Sequence, residues 1–219
     1  MKKNIVTVTG GTGYIASWIV KDLLELGHTV RITVRDKSNI GKYQHLLDIE
    51  KNSTGTLEVF EANLLSSGSF DNAVKGANYV IHTASPFFLD DKGDTKAKLI
   101  DPAVNGTKNL LESVNKSSSV KRVVLTSSLA AIYGDNQDMV NQNLETLDES
   151  IWNTTSSLTH NAYSYSKTMA EKAAWEMQKQ QDSWDLVTIH PGFVMGPSLT
   201  KRVDSTSINT ILRIVRGEF

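Results

Sequence analysis

The 219-residue chain contains no cysteine. That absence excludes disulfides, thiolate metal sites and cysteine nucleophiles, and nothing else points to an oxidising compartment. Net charge is also scarce: 23 Lys+Arg stand against 24 Asp+Glu, a formal charge of -1. No overall basic field would draw such a protein to nucleic acid or an anionic membrane, so any anionic ligand is held by a local site. No apolar run approaches the ~18 residues of a membrane helix. Met1-Lys2-Lys3 leads straight into Asn4–Thr9, which has too few apolar residues for a signal-peptide core. The expectation is a soluble, cytoplasmic protein. What the chain does have, 39% hydrophobic and 21% charged residues, is the composition of one medium globular domain.

Short runs rich in β-branched residues alternate with longer segments of helical period. This is the pattern of an α/β fold, a doubly wound parallel sheet covered by helices on both faces. Strands are expected at Ile5–Thr9, Thr29–Val34, Leu57–Glu61, Tyr79–Thr83, Arg122–Thr126 and Leu186–His190. The clearest helices are Tyr14–Leu26, Pro102–Asn115 and Ala162–Gln180, the second with Val104, Leu110, Leu111 and Val114 on one side. Asp135–Thr159 is long, polar and weakly patterned and reads as a functional loop. Ser207–Val215 has the pattern of a final amphipathic helix.

Thr9-Gly10-Gly11-Thr12-Gly13-Tyr14-Ile15-Ala16 lies between the first strand and the first helix, where a dinucleotide pyrophosphate rests on helix N-terminal amides. Gly10 makes the tight turn, Gly13 lets the backbone approach the phosphates, and Ala16 allows close helix packing. Glycines after a strand also serve any sharp turn, but the flanking strand and helix agree with the nucleotide reading. At the tip of the second strand, where an NAD site carries an acid, stand Val34 and Arg35. A guanidinium binds a 2′-phosphate that a carboxylate would repel, so Arg35 favours NADP(H) unless it merely pairs with Asp36. Lys42 offers a second positive charge.

Tyr163 and Lys167 begin the longest helix and project from one face, spaced so that an ammonium can favour the ionised form of a phenol. Upstream, Thr126-Ser127-Ser128 places hydroxyls at the carboxyl edge of the sheet, where open α/β proteins keep their chemistry. Ser128 and Ser127 compete as the group that bonds a substrate oxygen. No cluster has metal-ligand spacing. His82, His160 and His190 read as packed, capping or hydrogen-bonded residues, and Trp152, Trp175 and Trp184 as packing residues. Phe87 and Phe88 are candidates for a substrate wall.

Together with VRD at Val34–Asp36, KYQHLL at Lys42–Leu47, HTASPF at His82–Phe87, GTKNLLES at Gly106–Ser113, RVVLTSS at Arg122–Ser128, YSYSK at Tyr163–Lys167 and HPGFVMGP at His190–Pro197, the glycine-rich turn resembles the extended short-chain dehydrogenase/reductases. The branch it is similar to includes dihydroflavonol reductases, cinnamoyl-CoA reductases and yeast-type aldehyde or ketone reductases. The resemblance implies a Rossmann fold and an NADPH-dependent carbonyl reductase acting on a small molecule, as a monomer or homodimer.

It also implies roles for particular residues. Tyr163 would be the proton donor, Lys167 the group that lowers its pKa and binds the nicotinamide ribose, and Ser128 the hydroxyl that positions the carbonyl. Gly10, Gly13, Tyr14 and Ile15 would meet the pyrophosphate, Arg35 and Lys42 the 2′-phosphate, and Asn63 and Leu64 the adenine. Thr83, Ala84 and Ser85 would line the pyrophosphate and ribose, and backbone groups from Pro191 to Val194 would hold the carboxamide. Asn63 stands where relatives carry Asp. No Asn is assignable as a fourth catalytic member, since Asp101-Pro102-Ala103 occupies that region. A sugar-nucleotide epimerase or dehydratase is disfavoured because Leu129-Ala130 follows the hydroxyl in place of an acid. A non-catalytic NADP-sensing regulator is disfavoured by the intact Tyr163/Lys167 pair. Relatives carry further residues, so 1–190 reads as the nucleotide-binding domain and 191–219 as the start of a small C-terminal substrate lobe, cut short at Phe219.

Overall fold

The computed structural model describes residues 2–85, 94–200 and 206–218. Elements follow in the order β1 (Ile5–Thr9), α1 (Tyr14–Glu25), β2 (Thr29–Val34), α2 (Gln44–Glu50), β3 (Thr56–Glu61), α3 (Asp71–Val74) and β4 (Tyr79–His82). Then come α4 (Asp101–Asn115), β5 (Arg122–Thr126), α5 (Leu129–Ile132), α6 (Asn136–Gln142), α7 (Ala162–Gln178), β6 (Asp185–Ile189) and α8 (Thr206–Val215). The strands form one sheet in the order β3-β2-β1-β4-β5-β6, and every pairing is parallel. The chain reverses its winding between β1 and β4, and ligands of such sheets sit in the crevice at the carboxyl ends there.

Parallel strands covered on both sides need apolar residues facing both ways, and β4 shows how that is met. Val80 joins a core with Phe70, Val74, Leu110, Leu111, Val114, Val123 and Trp184, while Tyr79 and Ile81 pack on the other core, with Val8, Val20, Leu24, Val30, Ile32 and Leu46. Alternate strand residues point to opposite faces, so α1 and α2 cover one face and α3, α4 and α7 the other. Buried polar strand residues are satisfied locally: Thr7 Oγ1 donates to the Ala73 carbonyl at 2.7 Å.

The expected strands form within a residue of their predicted ends, because β-branched runs between turn residues have few alternatives. Two expectations change. Asp135–Thr159 is not a continuous loop, since Asp135 caps α6 through its side chain, which accepts from the Gln137 N–H. On α4, Val104 is only half-buried, whereas Ala103, Gly106 and Thr107 are buried. At about 100° per residue Ala103, Thr107, Leu110 and Val114 centre on one face of α4 and Val104 falls at its edge; a π-helical turn, Lys96–Ile100, runs directly into the helix.

Candidate functional site

The glycine-rich turn is held from below by hydroxyls. Thr33 Oγ1 accepts from the Gly10 N–H at 3.1 Å, and Thr9 Oγ1 accepts from the Ala84 N–H at 3.1 Å while sharing a 2.7 Å hydrogen bond with His82 Nδ1. Thr83 Oγ1 donates to the Thr9 carbonyl. His82 is buried, and burial, aided by the charge of Lys167, pushes its pKa down to about 3, so it stays neutral. Gly10 has φ +62°, a left-handed value that suits glycine. Gly11 is the tightest position, a role the sequence reading did not assign: a Cβ there would lie 2.5 Å from Ile32 Cγ2, so the turn rests directly on β2. Gly13 is the N-cap of α1 and no side chain caps that helix, which leaves its first turn of amides, at Tyr14 and Ile15, facing the crevice.

Arg35 and Lys42 both lie exposed beyond β2. The pairing of Arg35 with Asp36 does not form; instead Asp36 accepts from the Ser38 N–H at 2.9 Å and hydroxyl at 2.6 Å. Those bonds lead the causes holding its carboxyl below the usual range, and Lys42 adds a smaller electrostatic contribution, which places Lys42 on the same rim. Among the described residues Arg35 has no hydrogen bond or ion pair, so its fork of donors is presented to solvent. Asn63 is exposed, and its Oδ1 accepts from the Leu65 N–H at 3.0 Å. The Leu64 carbonyl accepts from Asn109 Nδ2 at 2.7 Å.

At the carboxyl ends of β5 and β6 the serine ambiguity resolves in geometry. Ser127 is buried and its hydroxyl donates to Glu171 Oε2. Ser128, the N-cap of α5, turns the other way: its Oγ accepts from the Ala130 N–H at 3.2 Å and is hydrogen-bonded to the Tyr163 phenol. Lys167 is 9% exposed, donates to Ser85 Oγ at 3.2 Å, and lies 6.0 Å from the Tyr163 ring centroid. Burial pushes its pKa down to about 8, against the opposing pull of Glu171. The Tyr163 phenol is pushed above its ordinary value by burial, which the Ser128 hydrogen bond only partly counters. Desolvation is the leading cause acting on the phenol in this arrangement.

Behind this group lies a residue that sequence reasoning passed over. Glu171, one turn after Lys167, is 3% exposed. Its carboxylate accepts from Ser127, from Trp175 Nε1 at 3.3 Å, and from His190 Nε2 at 2.9 and 3.0 Å. The available signal was its position on the same helix face as Lys167. Thr107 and Ala103 of α4 line the same cavity as Lys167, but Thr107 Oγ1 is spent on the Ala103 carbonyl at 2.9 Å.

The segment after β6 crosses the mouth of the crevice. The Pro191 carbonyl accepts from the Leu129 N–H at 3.0 Å. Tyr14 Oη donates to the Gly196 carbonyl at 2.5 Å and Trp18 Nε1 to the Pro197 carbonyl at 2.9 Å. Pro191 and Val194 are thereby carried toward the first turn of α1. On the opposite flank, Asp138 is fully buried and accepts from the Gly134 N–H and from the Thr154 and Thr155 hydroxyls at 2.7–2.8 Å. This clasp closes the segment that feeds α7. His160 flanks α7 as expected, paired with Asp135 at 3.0 Å. Trp184 is buried, Trp175 half-buried, and Trp152 lies against Lys172. Phe87 and Phe88 lie outside the described residues. Among the described residues there is no group of His, Asp and Glu that could hold a metal, and no helix is long and apolar enough to cross a membrane.

The NAD dependent epimerase/dehydratase family matches residues 6–218. The chain belongs to that family. Within it, the chain is 44% identical over 217 residues to cinnamoyl-CoA reductase CAD2 of Medicago truncatula, covering 98% of this chain and 64% of the relative. It is 36% identical to dihydroflavonol 4-reductase of Arabidopsis thaliana, covering 99% and 56%. Among solved structures it is similar to the yeast methylglyoxal/isovaleraldehyde reductase Gre2 complexed with NADPH, with TM-score 0.78, 33% identity and coverage of 97% of this chain and 65% of that one. The chain thus spans somewhat under two thirds of the length of these relatives.

Proposed function

We propose that this family member reduces a small-molecule aldehyde or ketone to an alcohol with NADPH. The observation that carries the reading is the convergence of Ser128, Tyr163 and Lys167 at the carboxyl edge of the sheet, beside an uncapped helix N-terminus and an unpaired guanidinium. The names of its relatives, which are reductases, agree with it. The residues present suit NADPH. The glycine turn allows a pyrophosphate to reach the amides of Tyr14 and Ile15 next to Gly10 and Gly13, with Thr83, Ala84 and Ser85 alongside. Arg35 and Lys42 supply the charge for a 2′-phosphate, Asn63 and Leu64 flank the adenine, Lys167 reaches the ribose, and the backbone from Pro191 to Val194 meets the carboxamide. When bound, NADPH supplies the hydride.

The chain's own part is to position and protonate. The Ser128 hydroxyl and the Tyr163 phenol both point at one place, where a carbonyl oxygen accepts hydrogen bonds from them. Because burial keeps the phenol protonated at neutral pH, Tyr163 holds the proton until negative charge grows on that oxygen. The O–H bond of Tyr163 then breaks, the alcohol O–H forms, and the Lys167 ammonium offsets the phenolate left behind. Residues 191–219 begin the substrate side in this reading, and the active form is a cytoplasmic monomer or homodimer.

The test is NADPH oxidation across a panel of aldehydes and ketones. Tyr163→Phe is expected to lower turnover by about 10²–10⁴-fold with NADPH affinity nearly unchanged. Turnover that persists in Tyr163→Phe would remove the proton-donor assignment, and no NADPH oxidation with any carbonyl in wild type would remove the reading itself.

A further inference from the structure

We propose that Glu171 is a positioning residue for the reaction: its buried carboxylate is the counter-charge that keeps the Lys167 ammonium protonated, and it ties the ends of β5 and β6 to α7 at the reacting edge. The role of Lys167 rests on the proposed reductase function; the placement of the two groups in one cavity does not. Glu171 and Lys167 line one cavity. The Ser127 hydroxyl and the Trp175 indole N–H donate to Glu171, and His190 Nε2 is hydrogen-bonded to both of its oxygens. These bonds hold the carboxyl group in place one helical turn from the ammonium.

Among the described residues that line the cavity, no other anion does this. Around Lys167 the titratable groups are His82 from β4 and Tyr163 and Glu171 from α7, while α4 and β5 present Ala103, Thr107, Thr126 and Ser127, none of them charged. His82 is neutral, and Tyr163 is a phenol until it gives up its proton. The same carboxylate engages Ser127 and so turns that hydroxyl away from the substrate, leaving Ser128 to face Tyr163. Through His190 it also fixes the residue from which the Pro191–Val194 backbone departs.

The experiment is a titration of Lys167 in wild type and in Glu171→Gln, which keeps the size of the side chain but removes its charge and exchanges one acceptor oxygen for an NH₂ donor. The side-chain ¹³Cε resonance of Lys167, assigned by its loss in Lys167→Met, reports protonation without any turnover. The expected result is a midpoint about one pH unit lower in Glu171→Gln, unchanged in Glu171→Asp, with the basic limb of NADPH binding moving by the same amount. An equal Lys167 midpoint in wild type and Glu171→Gln overturns the proposal. If Lys167 shifts as expected but wild type binds no NADPH, the counter-charge stands and the reductase reading falls. Should Glu171→Gln not fold, the wild-type Glu171 carboxyl ¹³C resonance decides: a carboxylate at pH 7 supports the proposal, and a protonated acid overturns it.

Discussion

Below pH 8 the folded chain holds a charge on Lys167 in a place where burial disfavours one, since its pKa falls from 10.5 to about 8 on folding. The unfolded chain therefore binds that proton more tightly, so stability rises with pH between about 8 and 10.5 and the full cost, about 3 kcal/mol, is present below 8. Lys167→Met is expected to stabilise the fold at pH 7 by about 2–3 kcal/mol while abolishing turnover. Urea unfolding at pH 7 and pH 10 checks the sign: the gain shrinks at the higher pH. A residue kept at such a cost serves something other than the fold. The exposed Arg35 has the opposite profile. Arg35→Ala is expected to leave stability within about 0.5 kcal/mol and to weaken NADPH binding roughly tenfold to a hundredfold with NADH binding unchanged. Isothermal titration with both nucleotides measures this, and equal wild-type affinities would refute the 2′-phosphate role.

Among the elements, α7 is the one on which the site depends, and its first turn is set by a segment with little regular structure of its own. Asp138 receives its hydrogen bonds from both sides of that segment, so Asp138→Ala leaves the Gly134 N–H and two threonine hydroxyls without their acceptor. The expected loss is about 2–4 kcal/mol, with kcat falling more than NADPH affinity, because Tyr163 follows the clasp directly while the glycine turn is remote from it. Chemical denaturation and steady-state kinetics read the two effects separately.

This division also explains what was legible in the sequence. The strands, α1, and the pairing of Tyr163 with Lys167 followed from local pattern, since β-branched runs and short spacings act over a few residues, whereas Ser127 and Ser128 were left competing until their partners were seen. The clasp did not, because a polar run carries no periodicity and Asp138 reads as a surface acid until Thr154 and Thr155 fold back on it. Glu171 was invisible for the same reason: its partners, Ser127 and His190, lie 44 and 19 residues away. Gly11 was legible as a glycine but not as the one whose Cβ would meet Ile32, because that contact crosses from β1 to β2.

At the scale of the whole molecule, two cores share one sheet, and the crevice between β1 and β4 opens at the edge where both end. A ligand spanning that crevice bears on both halves. Saturation with NADPH at 100 times its dissociation constant is therefore expected to stabilise the chain by about 2.7 kcal/mol, visible as a rise in melting temperature. NADH at equal concentration should give a smaller rise, and an equal rise would count against the charge-based preference.

The bonds from Tyr14 and Trp18 to the backbone at Gly196 and Pro197 join groups 182 and 179 residues apart. During synthesis the glycine turn leaves the ribosome long before the backbone that lies across it. Until that backbone emerges the nascent chain has β1 and α1 without the strap over them, so the covered form of the turn follows the formation of its own strand and helix. Contacts of such long separation slow the search for the native state.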